Sequence, residues 1–255
     1  MEKLFAKTDF GKMGYWTGGQ GKNLVLLHSL GVSAESWRPV MDALAGSFKV
    51  FALDLLGHGD SDKPPKHFLI EDYAQSIFQF MDHLKIDRAI LCGTSVGALI
   101  AVEMAAFDPK RVERMILVGC PVRNPWERME RLVFSALTLD AQGLPRPITL
   151  SELGASFAHP TEELLQWFNQ QRAKAGVWVK NLIIAIALYD AFPKFARVKC
   201  PTLVIYGNKD VLVGKERELV QRIKGARSVI LPDAGHVAQM DQPQAFLKEV
   251  SQFLV

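Results

Sequence analysis

Cysteine is scarce in this chain: Cys92, Cys120 and Cys200 are the three thiols among 255 residues. Three scattered thiols build no disulfide framework, and no CxxC pair offers a zinc-ligand spacing, so reduced and mostly buried thiols are expected. Charge of one sign is equally short. Thirty Lys and Arg against 27 Asp and Glu leave a formal +3, too small a surplus to predict a nucleic-acid or membrane partner. Long apolar runs are missing as well. The opening MEKLFAKTDFGKMGYWTGG mixes charges into its short windows and has no apolar stretch before a small-residue cleavage site, so a cytoplasmic location is expected. The most apolar later run, Val177 to Phe192, is interrupted by Lys180, Asn181 and Asp190. It falls short of the roughly 20 residues that cross a bilayer. The sequence has no repeat, no low-complexity segment, no His/Asp/Glu cluster at metal-ligand spacing, and no G-x-G-x-x-G or Walker pattern. No metal and no other cofactor is expected.

What is present is an ordinary globular composition: 49% hydrophobic and 22% charged residues exclude a disordered or collagen-like chain. Short aliphatic runs alternate with longer amphipathic ones, the pattern of an α/β fold with a mostly parallel sheet. Leu24–Leu27, Val50–Leu53, Ala89–Cys92, Met115–Val118, Leu203–Tyr206 and Ser228–Leu231 read as strands, apolar almost throughout because they are covered on both faces. Leu4–Thr8 and Met13–Thr17 read as an antiparallel edge hairpin. Between strands, Ile70, Tyr73, Ile77, Phe80 and Leu84 recur at helical spacing. Val96 to Phe107 is apolar apart from Glu103, and Pro243 opens a closing helix. Residues 121–196 break the alternation with three helical patterns, Trp126–Leu139, Thr161–Ala175 and Val177–Tyr189. They are expected to form a helical cap, inserted before the last two strands, on a core of residues 1–120 and 197–255.

The strand Ala89–Cys92 runs into Gly93-Thr94-Ser95-Val96-Gly97 and then into a helix. In that context G-x-S-x-G is a tight turn that lifts a serine hydroxyl out at the carboxyl end of the sheet. A nucleophilic serine needs a base, and the base needs an orienting carboxylate. The strand Leu203–Tyr206 ends in Gly207-Asn208-Lys209-Asp210, and Ser228–Leu231 ends in Pro232-Asp233-Ala234-Gly235-His236. Both groups therefore lie just past strand ends, in the order Ser, Asp, His. Asp233, three residues before His236, is too close in the same loop to orient it; Asp54, in the turn after a strand, remains a competitor to Asp210 on the residues alone.

From about Leu24 to Leu254 the chain resembles the α/β-hydrolase family. The resemblance rests on His28-Ser29-Leu30-Gly31, Asp54-Leu55-Leu56-Gly57-His58-Gly59-Asp60-Ser61, the Ser95 turn, Gly207-Asn208-Lys209-Asp210 and Gly235-His236. It looks most like small capped enzymes: carboxylesterases, enol-lactonases and carbon–carbon bond hydrolases. The likeness implies Ser95 as nucleophile, His236 as base, Asp210 as its partner, and the Leu30 and Val96 amides as the oxyanion hole. Ser29 stands where the family usually has glycine. Asp54 and His58 would support turns, and His28 would shape the oxyanion loop. His67 and His83 read as surface residues, and His159 as a bystander in the cap.

The activity expected is hydrolysis of a small-molecule ester by a monomer or homodimer. One alternative is carbon–carbon bond cleavage, disfavoured because position 237, aromatic in that group, is Val237 here. The other is a ligand receptor on the same fold with negligible turnover. Trp126, Phe134, Phe157, Trp167, Phe168 and Trp178 of the cap are expected to roof an apolar pocket, with Trp126, Phe134, Trp178 and Val237 lining it. No extended apolar surface for a lipid interface is expected on the cap.

Overall fold

Aliphatic runs that alternate with amphipathic helices pair side by side, and here they form one eight-stranded sheet in a computed structural model that describes residues 1–254. β1 (Glu2–Thr8) and β2 (Gly11–Gly18) make the antiparallel hairpin. Then come β3 (Lys22–Leu27), a 3-10 turn (Ala34–Trp37), α1 (Arg38–Ala45), β4 (Phe48–Leu53), α2 (Ile70–His83), β5 (Ala89–Thr94), α3 (Val96–Phe107) and β6 (Val112–Val118). Five helices follow before the sheet resumes: α4 (Pro125–Ala136), α5 (Leu150–Leu153), α6 (Glu162–Ala175), α7 (Val177–Leu188) and α8 (Phe192–Phe195). The chain closes with β7 (Thr202–Gly207), α9 (Glu216–Arg222), β8 (Arg227–Leu231), α10 (Ala238–Asp241) and α11 (Pro243–Leu254).

The strand order is β1-β2-β4-β3-β5-β6-β7-β8, parallel from β4 onward. Side chains alternate across the pleat, so each strand feeds two cores. Leu24, Leu26, Ile90, Ile116 and Ile205 pack with Val40, Met41, Phe246 and Val250 of α1 and α11. Val25, Leu27, Leu91, Leu117 and Val204 pack with Ile77, Phe80, Val102 and Met104 of α2 and α3. Glu103, the lone acid of α3, is buried but paired with Lys194 Nζ at 2.7 Å and Tyr189 Oη at 2.9 Å.

The strand order reverses at β3, with β4 on one side and β5 on the other. At such a switch point the loops leaving the strands part and open a crevice at the carboxyl ends. The expectation of two-sided cover fails at β8. Arg227, Ser228 and Ile230 are exposed there, because β8 ends the sheet with β7 as its single strand neighbour. The short α5 and α8 were not anticipated; four residues carry no readable period.

Caps explain where the inserted helices start. The Asn124 side chain accepts from Glu127 N at 3.0 Å and the Glu127 carboxylate from Asn124 N at 2.8 Å, a capping box with Pro125 in the first turn. Thr161 Oγ1 accepts from Leu164 N at 3.2 Å to start α6. Among the described residues no helix is long and apolar enough to cross a membrane, and no three His, Cys, Asp or Glu side chains converge as a metal set.

Candidate active site

Ser95 joins β5 to α3 with φ 56° and ψ −116°, a conformation that costs a non-glycine residue about 1–3 kcal/mol. Its neighbours make the turn possible. A Cβ on Gly93 would stand 2.2 Å from Gly97 O, and one on Gly97 would stand 2.3 Å from Leu27 O. Backbone therefore crosses backbone where side chains are absent. The Ser95 amide donates to Val118 O at 2.8 Å, pinning the turn to the end of β6. Val96 is the first residue of α3, so its N–H has no acceptor within the helix and sits at the positive end of the dipole.

Asp210 lies three residues past β7 and is 2% exposed. Its Oδ1 accepts from Leu212 N at 2.9 Å, and its Oδ2 accepts from His236 Nδ1 at 3.0 Å. That bond puts the imidazole proton on Nδ1 and leaves a lone pair on Nε2. Asp233 is occupied elsewhere, held by Lys209 Nζ at 2.5 Å and His159 Nε2 at 2.6 Å. The Lys209 ammonium, with His159 second, keeps the Asp233 carboxyl below its usual range. The histidine loop is tethered to the insertion. His236 N donates to Ser156 O at 2.9 Å, while Asp241 Oδ2 accepts from Gly235 N at 2.7 Å and Ala158 N at 3.0 Å. Behind the ring, Gly119 has φ +53°, and a Cβ there would stand 2.8 Å from His236 Nδ1.

The loop after β3 is shaped by His28. Its Nε2 accepts from Leu55 N at 3.0 Å, so the ring proton is on Nδ1 and donates to Ser29 O at 2.7 Å. Burial pushes His28 down, and pushes His58, with its ring 5.4 Å away, down to about 3. Both imidazoles are neutral braces. Asp54 braces the same region by accepting from Ala34 N at 2.8 Å, Asp60 N at 2.9 Å and Lys3 Nζ at 2.5 Å. The Leu30 amide donates no hydrogen bond among the described residues.

Two cavities, of about 70 and about 280 Å³, meet at Leu30, Ser95, Arg131 and His236. The smaller is walled by apolar residues such as Leu99, Leu132 and Ile183 together with Arg123 and Arg128. Ser29, Ile148, Phe168, Arg172 and Val237 border the larger. Ser95 Oγ makes no hydrogen bond among the described residues; in free enzymes such contacts often close only when substrate binds.

A model of the alpha/beta hydrolase family matches residues 24–249. The chain belongs to the alpha/beta hydrolase family. It is 28% identical over 243 residues to the dihydrolipoyllysine-residue acetyltransferase component of the acetoin cleaving system of Pseudomonas putida, covering 93% of this chain and 65% of that protein. It is 26% identical over 248 residues to the pimeloyl-[acyl-carrier protein] methyl ester esterase of Aeromonas hydrophila, covering 92% and 96% of the two chains. Among solved structures, the enol-lactonase of Burkholderia xenovorans superposes with a TM-score of 0.80 at 29% identity, over 98% of this chain and 99% of that one.

In this alpha/beta hydrolase the roof differs from the sequence expectation. Trp126 and Phe134 are 85% and 55% exposed and border neither cavity. The reason is the register of α4: Arg128, Arg131, Leu132 and Ser135, at i, i+3, i+4 and i+7, face the cavities and put Trp126, Met129, Val133 and Phe134 outside. That outer face is an exposed apolar stripe, where none was expected. Trp178 is buried in the main core, edge-on to Phe68 with centroids 5.6 Å apart and against Gly57, and it borders neither cavity. Phe157 packs beneath Phe168 rather than on the cavity. Val237 does border the larger cavity. Sequence reading missed Gly119, Asp241 and the arginines on the cavity walls.

Proposed function

We propose that this alpha/beta hydrolase cleaves carboxylic esters of small to medium acyl chains through a serine acyl-enzyme. The observation that carries the reading is the His236–Asp210 bond at 3.0 Å beside cavities that His236 shares with Ser95. In this reading Ser95 Oγ attacks the ester carbonyl carbon while His236 Nε2 takes its proton, and the carbonyl electron pair moves onto oxygen. The Leu30 and Val96 amides receive that oxyanion, and loss of one such donor typically costs about 100- to 1000-fold in rate. Asp210 holds the Nδ1–H tautomer and steadies the imidazolium. The carbon–oxygen bond to the leaving group then breaks, and the alcohol departs with the proton from His236. Water attacks the acyl carbon and gives its proton to His236; collapse releases the carboxylic acid and returns Ser95. Relatives named as a methyl ester esterase and as an enol-lactonase support acyl–oxygen cleavage.

The test is turnover of p-nitrophenyl esters from acetate to palmitate. kcat/KM is expected to rise by about fourfold per methylene that fits and to peak near about four to eight acyl carbons, given enclosed space on this scale. A steady rise to palmitate would mean an open groove. Ser95→Ala is expected to remove turnover by at least about a thousandfold with the Tm nearly unchanged. A variant keeping more than about a tenth of wild-type kcat would overturn the acyl-enzyme route.

A further inference from the structure

Four arginines border the two cavities, Arg123, Arg128, Arg131 and Arg172, against a single carboxylate, Glu152. The counter-charges do not reach them evenly. Glu152 is taken by Arg146, at 2.5 and 3.3 Å, and by Thr149 N at 2.8 Å. Arg128 is satisfied by Tyr189 O at 2.6 Å and Asp190 at 3.4 Å. Arg123 is within electrostatic reach of Glu127 and Asp210 but bonds to neither. Glu127 lies one helical turn from Arg131 on α4, yet its carboxylate is held by Lys215 Nζ at 2.7 Å. Arg131, which borders both cavities, has no hydrogen bond or ion pair among the described residues.

Arg172 is the stronger anomaly. It is 6% exposed, its stem covers Gly31 of the oxyanion loop, and one terminal nitrogen donates to Thr138 O at 3.1 Å. Its Nε is buried without any partner, and no carboxylate pairs with it among the described residues. Burial pushes Arg172 down to about 10, which still leaves it cationic at neutral pH. Glu152 is within electrostatic reach of Arg172 but is bonded to Arg146 instead. A buried cation with no direct ion pair is costly, and on a cavity wall it is open to a charge that arrives with a ligand.

Building on the hydrolase reading above, we propose that the preferred substrate is an ester with a second, free carboxylate, received by Arg131 and Arg172 in the larger cavity beside Ser95. The Arg172 guanidinium, with no ion pair of its own, and the unpaired Arg131 guanidinium face the two carboxylate oxygens, and the group adds negative charge to a wall with four arginines and one carboxylate. Binding at this subsite holds one end of the substrate while Ser95 addresses the ester carbonyl at the other.

The experiment compares mono-p-nitrophenyl suberate with its methyl-capped diester, which has the same acyl length but no charge. The free acid is expected to be favoured at least about tenfold in kcat/KM, as charge-assisted hydrogen bonds supply. That ratio should fall toward one in Arg131→Gln, whose exposed side chain can be changed without loss of the fold, and in Arg172→Gln if that variant folds. A wild-type ratio of one or below overturns the proposal. Calorimetry of suberate and dimethyl suberate on Ser95→Ala separates this subsite from the chemistry. Suberate binding to Ser95→Ala, with no ester turnover by the wild type, would sink the hydrolase reading and leave the subsite standing. Ester turnover with neither charge preference nor suberate binding would do the reverse.

Discussion

Along the carboxyl ends of the sheet, Ser95, Asp210 and His236 sit on turns whose shape the backbone dictates. Above them, the helices between β6 and β7 offer the same cavities Arg131, Leu132, Phe168 and Arg172, which no backbone signature marks. The floor is held by glycines that let chain cross chain and by a carboxylate fixed at both oxygens. The roof is held by the register of α4 and by which acids its arginines fail to meet. A substitution in the floor should therefore damage chemistry, whereas one in the roof should change what is accepted.

The sharpest break in that contrast would come from Asp210→Asn. An amide there can pin the wrong imidazole tautomer, so kcat is expected to fall by roughly ten-thousandfold at neutral pH, by analogy with serine proteases. An unaffected rate in steady-state kinetics would move the acid role to another residue, Asp233 first.

A smaller effect is expected at Gly119→Ala. The new methyl would meet His236 Nδ1 at 2.8 Å and force a residue with a side chain into positive φ. A displaced imidazole should lower kcat by about a hundredfold, with a Tm loss of only a few degrees. Loss of kcat and Tm in proportion would mark Gly119 as a packing residue alone.

The smallest effect belongs to the outer face of the roof. Trp126→Ser is expected to leave kcat/KM for p-nitrophenyl butyrate within about twofold, as exposed substitutions usually do. A tenfold loss would put Trp126 back on the cavity wall and undo the inner and outer faces assigned to α4.

The placement of the floor residues was legible because it is tied to backbone punctuation. Gly93-x-Ser95-x-Gly97 after β5, Asp210 past β7, and His236 past β8 are all marked by where strands stop. The sheet was legible for the same reason, except at β8, where Ile230 looks buried by composition but lies on a free edge. The roof was not legible because side-chain facing on α4 turns on tertiary partners. Glu127 and Arg131 have the i,i+4 spacing that normally pairs on a helix surface, and only the fold shows Glu127 claimed by Lys215. Aromatics carry the same ambiguity: Trp126 and Trp178 are equally bulky, yet one is on the surface and the other in the core.

The Asp241 carboxylate, shared between Gly235 N and Ala158 N, has a consequence for modularity. Together with the Ser156 carbonyl beneath His236 N, it makes the stretch before α6 part of the scaffold that seats His236. The insertion is therefore not an interchangeable part. Grafting a foreign segment across residues 121–196 would bring along a different turn under His236. Transfer of specificity between such enzymes would then succeed only if residues 156–158 stayed with the recipient's own histidine loop.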